Sequence, residues 1–151
     1  METITVHEAP ACANSSVSVA MRATFPNIEC IALERECIGF LGAKELASAL
    51  ERGAYPRLKC INLAGGGIGD EGASALAVAL ERGSFQTLEV VDFDFNKIGQ
   101  EGAIALAAAL ERGQFPKLRR IELQEEDTKK TDGVAAAPQS ELEQKLLHVV
   151  V

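Results

Sequence analysis

YPRLKCINLAGGGIGDEGASALAVALERGS, residues Tyr55 to Ser84, is one copy of a unit that recurs every thirty residues. Aromatic residues open the neighbouring copies at the same spacing: Phe25, Phe85 and Phe115. The run ALERG keeps this register and begins at Ala49, Ala79 and Ala109. A fixed period of about 20 to 50 residues is typical of solenoids, in which each unit buries its apolar face against its neighbours. The sequence therefore predicts a solenoid.

Each unit has two halves with different hydrophobic periods. The apolar residues of the first half alternate, which predicts a short strand: Leu58, Ile61, Leu63. Those of the second half, Gly72 to Glu81, fall on one helical face: Ala73, Leu76, Ala77, Leu80. We expect Asp70 to cap this helix, Glu71 to complement its dipole and Gly83 to end it in the left-handed conformation. Strands pack more closely than helices, so the stack should curve with the strands inside.

The repeat resembles a known family. The pattern Leu88-x-x-Val91-x-Phe93-x-x-Asn96-x-Ile98 followed by Gly102, Leu106 and Leu110 is similar to the leucine-rich repeat of the ribonuclease-inhibitor type, found in NOD-like receptors and Ran GTPase-activating proteins. The resemblance covers residues 28–126. It implies an α/β fold: a right-handed horseshoe of about four repeats plus a degenerate N-terminal cap, with parallel strands on a concave binding face and helices on the convex face.

The resemblance also implies a role for one side chain. The family's Asn, which satisfies backbone groups in the turn after the strand, is present as Asn96. The equivalent positions hold Glu36, Gly66 and Glu126. We therefore expect the turns of the first and last copies to be irregular.

The segments outside the repeats divide the chain into three parts. Residues 1–24 are predicted to form the cap, with a strand within Met1 to Val6 and a short helix at Val17 to Arg22. Residues 25–127 hold the repeats, and residues 128–151 a linker and a C-terminal helix that begins near Ser140. Three alternatives stay open for this C-terminal segment: its helix covers the final repeat, its helix docks on a partner, or the segment is disordered.

Composition limits the classes of function. The chain has 151 residues, 47% of them hydrophobic, which suits one domain with a sizeable core. Its formal net charge of −7 argues against nucleic-acid binding and favours a basic or neutral protein partner. The sequence has no apolar run of membrane-spanning length and no signal-peptide pattern, so we expect a cytoplasmic protein without membrane insertion.

The sequence offers no pattern for a cofactor, a metal or catalysis. The four cysteines form no CxxC pair, and Cys30 and Cys60, which share a repeat position, are expected to lie side by side as reduced thiols. Residues 67–72 match G-x-G-x-x-G, but Gly69 and Gly72 recur in the sister copies and Asp70 and Glu71 would repel a pyrophosphate. We interpret these glycines as parts of a turn and of helix packing.

Partner-binding residues are predicted where repeat positions form rows across the sheet. Acidic groups gather in the third and fourth repeats around Phe95, and with their row neighbours the candidates are Asn62, Asp92, Asp94, Phe95, Arg120 and Glu122. The alternative is a merely solvated face with Phe95 tucked under the turn. A second candidate is Phe40 with Leu41, which replace the polar pairs of the sister repeats and contact either the N-terminal loop or a partner.

These patterns predict a non-catalytic protein–protein interaction module that uses its concave strand face. The alternative is a structural subunit built stably into a larger multiprotein assembly. A regulator of a small GTPase is the remote alternative that the family resemblance allows.

Overall fold

The computed structural model describes residues 2–5, 25–35 and 37–123. Strands and helices alternate along the repeats. The strands are β1 (Glu2–Thr5), β2 (Ile28–Ala32), β3 (Cys60–Asn62), β4 (Val90–Asp92) and β5 (Arg120–Glu122). The helices are α1 (Gly39–Glu51), α2 (Gly69–Arg82) and α3 (Gln100–Arg112).

The five strands form one parallel sheet in sequence order. Equivalent residues of successive repeats pair directly, so that Cys30, Cys60, Val90 and Arg120 form one row and Ala32, Asn62, Asp92 and Glu122 the next. From β2 to β5, each strand is connected to its parallel neighbour by a crossover that carries a helix, and such crossovers are right-handed. The predicted α/β solenoid, with strands on the concave face and helices on the convex face, is confirmed.

The core lies between the sheet and the helix layer. Ile31, Ile61 and Val91 point inward from the centres of their strands and are at most 2% exposed. The helices contribute leucines and alanines from one face, among them Leu46, Leu76 and Leu106. Each fully buried Leu or Ile contributes about 2 kcal/mol of transfer free energy. The alanines keep the helix faces smooth, which lets neighbouring helices pack closely.

The strand expected within Met1 to Val6 is present as β1. It pairs in parallel with β2, and Ile4 lies opposite Ile31. The predicted helix at Val17 to Arg22, the loop before it, the linker and the C-terminal helix lie outside the described residues, as do Glu36 and Glu126. In the part of the chain that the structure describes, no helix is long and apolar enough to cross a membrane.

Asp70 does not cap its own helix as predicted. Helix α2 begins at Gly69, three residues before the predicted start, and its N-cap Ile68 makes no side-chain cap hydrogen bond. Instead, one carboxylate oxygen of Asp70 accepts hydrogen bonds from the backbone N–H groups of Gly99 and Gly102, both 2.8 Å away. Those donors lie at the start of α3, so Asp70 caps the helix of the following repeat.

The prediction for Gly83 is wrong in its conformation. Gly83 follows α2 with φ −76° and ψ 161°, which is extended backbone open to any residue. Glycine is needed at this position for a steric reason, because a Cβ there would lie 2.3 Å from the ring of Phe85. A left-handed glycine does follow α1, where Gly53 has φ +68°.

Asn96 braces the turn in the way the family resemblance implied. It is 1% exposed, and its side-chain amide donates to the carbonyl oxygens of Leu63 (2.8 Å) and Phe93 (3.0 Å). Its oxygen lies 3.5 Å from the backbone nitrogen of Ile68. The Leu63 carbonyl and the Ile68 N–H belong to the preceding repeat, in which Gly66 stands at the position equivalent to Asn96. The side chain of Asn96 therefore bonds to backbone groups that Gly66, which has no side chain, cannot reach.

Candidate protein-binding face

The concave face is built from the outward-pointing residues of the short strands. In β4, Val91 is fully buried while Val90 and Asp92 on either side of it are partly exposed. Strand β3 has the same alternation, and the register aligns Asp92 with Asn62 on β3 and Glu122 on β5. The register thus brings the predicted site residues of separate repeats onto one surface.

Three carboxylates meet at the C-terminal side of this surface. Oxygen atoms of Asp92, Asp94 and Glu122 all lie within 4.8 Å of one another. The backbone N–H of Asp94 donates to Asp92 at 2.9 Å, and Ala64 donates to Asn62 in the same way at 3.0 Å. Carboxylate oxygens are the ligands that Mg²⁺ and Ca²⁺ prefer. Partly exposed acidic groups alone do not define a metal site.

The predicted Arg120 belongs to this cluster. Its guanidinium forms an ion pair with Glu122 two residues along β5. It therefore neutralises part of the charge at the edge of the cluster, while Asp92 and Asp94 lie one strand further in.

The pKa of Asp92 is raised above its ordinary value. Burial is the main cause, and the charge and hydrogen bonding of Glu122 act in the same direction. The hydrogen bond from the Asp94 backbone opposes this shift. The carboxylate is therefore held in a place that disfavours its charge, and a cation brought against it would relieve that cost.

Phe95 lies beside the cluster and exposes 54% of its surface. Its backbone has φ +56°, in the left-handed region that non-glycine residues rarely adopt. Arg35 and Gly65, the equivalent residues of the two preceding repeats, have φ 60° and +70°. The alternative that Phe95 is tucked under the turn is therefore wrong, because this conformation directs its ring to solvent.

The N-terminal side of the sheet differs in character. Lys59 donates a hydrogen bond to Glu29 at 2.9 Å across β2 and β3, and this bond lowers the pKa of the Glu29 carboxyl. Cys30 and Cys60 lie opposite each other in register and hold free thiols, as predicted. The charges of Glu29 and Lys59 are thus paired between neighbouring repeats on this side.

Phe40 and Leu41 lie in the first turn of α1, each 47% exposed. The equivalent residues of α2 are Asp70 and Glu71. The N-terminal loop that was one predicted contact lies outside the described residues. Val78 and Ile104 are further large apolar residues exposed on the helix layer.

The glycines of the G-x-G-x-x-G match serve the turn and the helix packing, as interpreted from the sequence. Gly67 and Gly69 have φ +66° and +63°. A Cβ on Gly72 would lie 3.0 Å from the Cβ atoms of Ala43 and Ile68, so the bare backbone lets α2 approach α1. The carboxylate of Asp70 lies at the N-terminus of α3, where it accepts hydrogen bonds from the backbone N–H groups of that helix.

A groove of about 450 Å³ lies on the helix side, where α1 and α2 end. Its lining includes Tyr55 and Phe85, which stack on different partners: Tyr55 on Phe25 (6.2 Å between ring centroids) and Phe85 on Phe115 (5.8 Å). Arg82 crosses the groove to lie 4.0 Å from Glu51. The row of aromatic residues is thus split into two stacked pairs.

Sequence reasoning missed two features of the site. It did not identify the strained backbone of Phe95, although Gly65 at the equivalent position was a signal for a left-handed residue. It also did not identify that Asp70 acts on the next repeat, since the distance from Asp70 to Gly99 depends on how the repeats stack.

Comparisons with known proteins agree with this fold. A family model described as leucine-rich repeat matches residues 57–77 and 86–107. The solved structure described as leiomodin-1 actin-binding site 2 is similar with a TM-score of 0.75, at 16% sequence identity, over 98% of this chain and 78% of that chain. The tropomodulin C-terminal domain of Caenorhabditis elegans is similar with a TM-score of 0.50, at 12% identity, over 91% of this chain and 90% of that chain. A search of curated protein sequences found no match.

These likenesses show the fold and leave the subtype open. The matched segments and the strand–helix alternation agree with a leucine-rich-repeat fold. The ribonuclease-inhibitor type in particular stays a prediction from the sequence.

Proposed function

We propose that this protein is a non-catalytic binding module that holds a protein partner against its concave strand face, with Phe95 as the anchor. The observation that carries the proposal is the exposed ring of Phe95 on a left-handed backbone. Non-glycine residues in that conformation are concentrated at ligand-binding sites, and aromatic side chains dominate binding energy at protein interfaces. A surface that only contacts solvent has no use for a strained backbone or for an exposed aromatic ring.

The chemistry around Phe95 favours a basic segment of the partner. Asp92 and Asp94 offer carboxylates that are partly buried before binding, so part of their desolvation cost is already met. Arg120 forms an ion pair with Glu122 at the edge of the cluster. A lysine or arginine whose stem packs on Phe95 would place its charge against Asp92.

The structural neighbours support a protein partner. One of them is described as an actin-binding site of leiomodin-1, which makes monomeric actin the first named protein to test. A cytoplasmic location and the absence of a cofactor or catalytic group are parts of the same proposal. The net charge of −7 supports the exclusion of nucleic acid.

The central test compares Phe95→Gly with Lys97→Gly. Lys97 also has a left-handed backbone (φ 56°) and Gly67 as its equivalent, so both variants relieve the same kind of strain. Proteins captured by the full-length wild type and by Lys97→Gly but lost with Phe95→Gly identify the partner, and titration calorimetry then measures affinity. We expect Phe95→Gly to weaken binding by about 30-fold or more, the effect of losing an interface hot spot.

Equal affinity of the two variants would contradict the proposal. Thermal unfolding serves as the control, because both variants should retain or slightly raise the melting temperature. Monomeric actin is titrated in the same series, and affinity for wild type and Lys97→Gly but not Phe95→Gly would name it as a partner.

A second candidate function is a structural subunit of a larger assembly. The exposure of Phe40 and Leu41 favours it, since two adjacent apolar residues at a helix start are polar in the sister repeat. The double variant Phe40→Asp with Leu41→Glu copies the residues of α2. If the wild type self-associates in size-exclusion chromatography while this variant is monomeric, the result favours the structural subunit. If both proteins elute as monomers, the result favours the binding module.

A further inference from the structure

Cys30 and Cys60 form a pair of thiols on the concave face, apart from the residues proposed for partner binding. They lie opposite each other on β2 and β3. The next residues, Ile31 and Ile61, are buried, so both thiols point to the same outer side of the sheet. Each cysteine is partly exposed and free.

The spacing of the strands brings the two cysteines within reach of a disulfide. Paired parallel strands lie about 4.8 Å apart, inside the Cα–Cα range of disulfides. Parallel Cα–Cβ vectors keep the two Cβ atoms about 4.8 Å apart, slightly beyond the usual Cβ–Cβ distance in disulfides, so the bond would carry strain. Strained and exposed disulfides are the easily reduced ones, which suits exchange better than permanent cross-linking.

The two thiols are not equivalent. Cys30 donates a hydrogen bond to the sulfur of Cys60, which lowers the pKa of Cys60 to about 7 and raises that of Cys30. Burial and the charge of Asp92 on β4 oppose the shift at Cys60. A thiol whose pKa is near the ambient pH is the most effective attacking group in thiol–disulfide exchange.

We propose that Cys30 and Cys60 are a reversible thiol–disulfide exchange site for low-molecular-weight disulfides, in which Cys60 attacks and Cys30 resolves. The inference does not depend on the proposed partner. It assigns a modification site to the N-terminal side of the concave face.

The exchange balances in two steps. The Cys60 thiolate attacks one sulfur of a small disulfide RSSR, forms a Cys60–S–S–R bond and releases RS⁻. Cys30 then gives its proton to solvent and attacks the Cys60 sulfur, which forms the Cys30–Cys60 disulfide and releases a second RS⁻. The protein loses two electrons and two protons, and RSSR becomes two RSH. Excess RSH reverses both steps.

The test exposes the reduced full-length chain to oxidised glutathione at neutral pH and follows each cysteine by peptide mass spectrometry. We expect the wild type to gain a Cys30–Cys60 link with little lasting adduct, and Cys30→Ser to accumulate glutathione on Cys60. Cys37, an exposed thiol of the same chain, is the internal comparison. Cys60 should react about tenfold faster than Cys37.

Two results would overturn the proposal. One is a Cys60 that reacts no faster than Cys37, and the other is a Cys30→Ser variant with no more adduct than the wild type. Should a serine variant fail to fold, pulsed alkylation of the wild type across pH 5 to 9 decides the matter. The alkylation rate of Cys60 must then rise with a midpoint near its pKa of about 7.

Discussion

At the scale of single residues, one loop position carries three different side chains on the same left-handed backbone. Arg35, Gly65 and Phe95 all have φ between 56° and 70°. This conformation costs a non-glycine residue about 1 to 2 kcal/mol, so glycine is the residue that the backbone favours. Phe95 therefore occupies a position at which the left-handed backbone conformation favours glycine.

Asp92→Asn should raise stability at neutral pH. Folding raises the pKa of Asp92, so the folded protein binds this proton more tightly than the unfolded chain does. The carboxylate therefore destabilises the fold above its folded pKa, and this cost disappears as the pH falls through the folded pKa. Asparagine keeps the turn, since Asn62 accepts the equivalent hydrogen bond from Ala64.

Melting temperatures across pH 3 to 8 check this expectation. The variant should melt above the wild type at pH 7, and the two curves should converge at the acidic end. The reverse change in the sister repeat, Asn62→Asp, should lower the melting temperature at pH 7. A wild type that matches or exceeds Asp92→Asn at pH 7 would be inconsistent with the raised pKa.

At the scale of elements, helix α3 depends on the preceding helix for its N-terminal cap. Helix α3 has Gly99 as N-cap, which offers no side chain to its own first turn. Asp70 supplies the missing acceptor from α2. In α1 the equivalent residue is Phe40, so α2 receives no such carboxylate from α1.

Asp70→Ala should lower the free energy of unfolding by about 1 to 2 kcal/mol, the usual cost of losing a helix cap. The N–H groups of Gly99 and Gly102 lose their acceptor, so their hydrogen exchange should become faster. Asp70→Asn is the matched control, because its amide oxygen can accept the same bonds, and it should lose less than half as much. Urea unfolding provides the measurement, and equal losses in the two variants would show that the cap is not the cause.

Most of the fold could be predicted from the sequence, because the repeat makes each copy a test of the others. The period fixes which residues share a row, and alternation around Ile61 fixes which face is buried. The conformation of Gly83 could not be predicted, since its requirement comes from the position of the Phe85 ring. The residues of the candidate site could be named from the sequence, but the orientation of Phe95 could not. Its outward direction depends on a positive φ angle, which a phenylalanine does not favour.

At the scale of the whole molecule, hydrogen bonds link each turn to the next repeat. Asn96 reaches back to Leu63, and the backbone continues the same pattern: Gly65 donates to Asp94 and Gly69 to Asn96. A repeat therefore completes the turn of the one before it. Nearest-neighbour coupling of this kind makes solenoid stability a sum of unit and interface contributions.

Asn96→Ala should destabilise the protein by about 2 to 3 kcal/mol, because buried carbonyl groups of Leu63 and Phe93 lose their donor. Hydrogen exchange should increase in two repeats, at residues 63–69 as well as around position 96. The control is Asn62→Ala, which removes only a bond within its own loop. Faster exchange confined to the third repeat would argue against coupling between repeats.

The in-register ladder makes the length of the concave face adjustable by whole units. A second copy of residues 55–84 placed after Ser84 would add one strand between β3 and β4 and one place to every row. Each strand would keep a partner of the same type, since Cys60 and Val90 already occupy equivalent places. The row of Cys30 and Cys60 would gain a third thiol, and Cys30 would lie about 4.8 Å further from the acidic surface around Phe95. Segmental duplication is therefore a route by which such a chain changes its reach and keeps its chemistry.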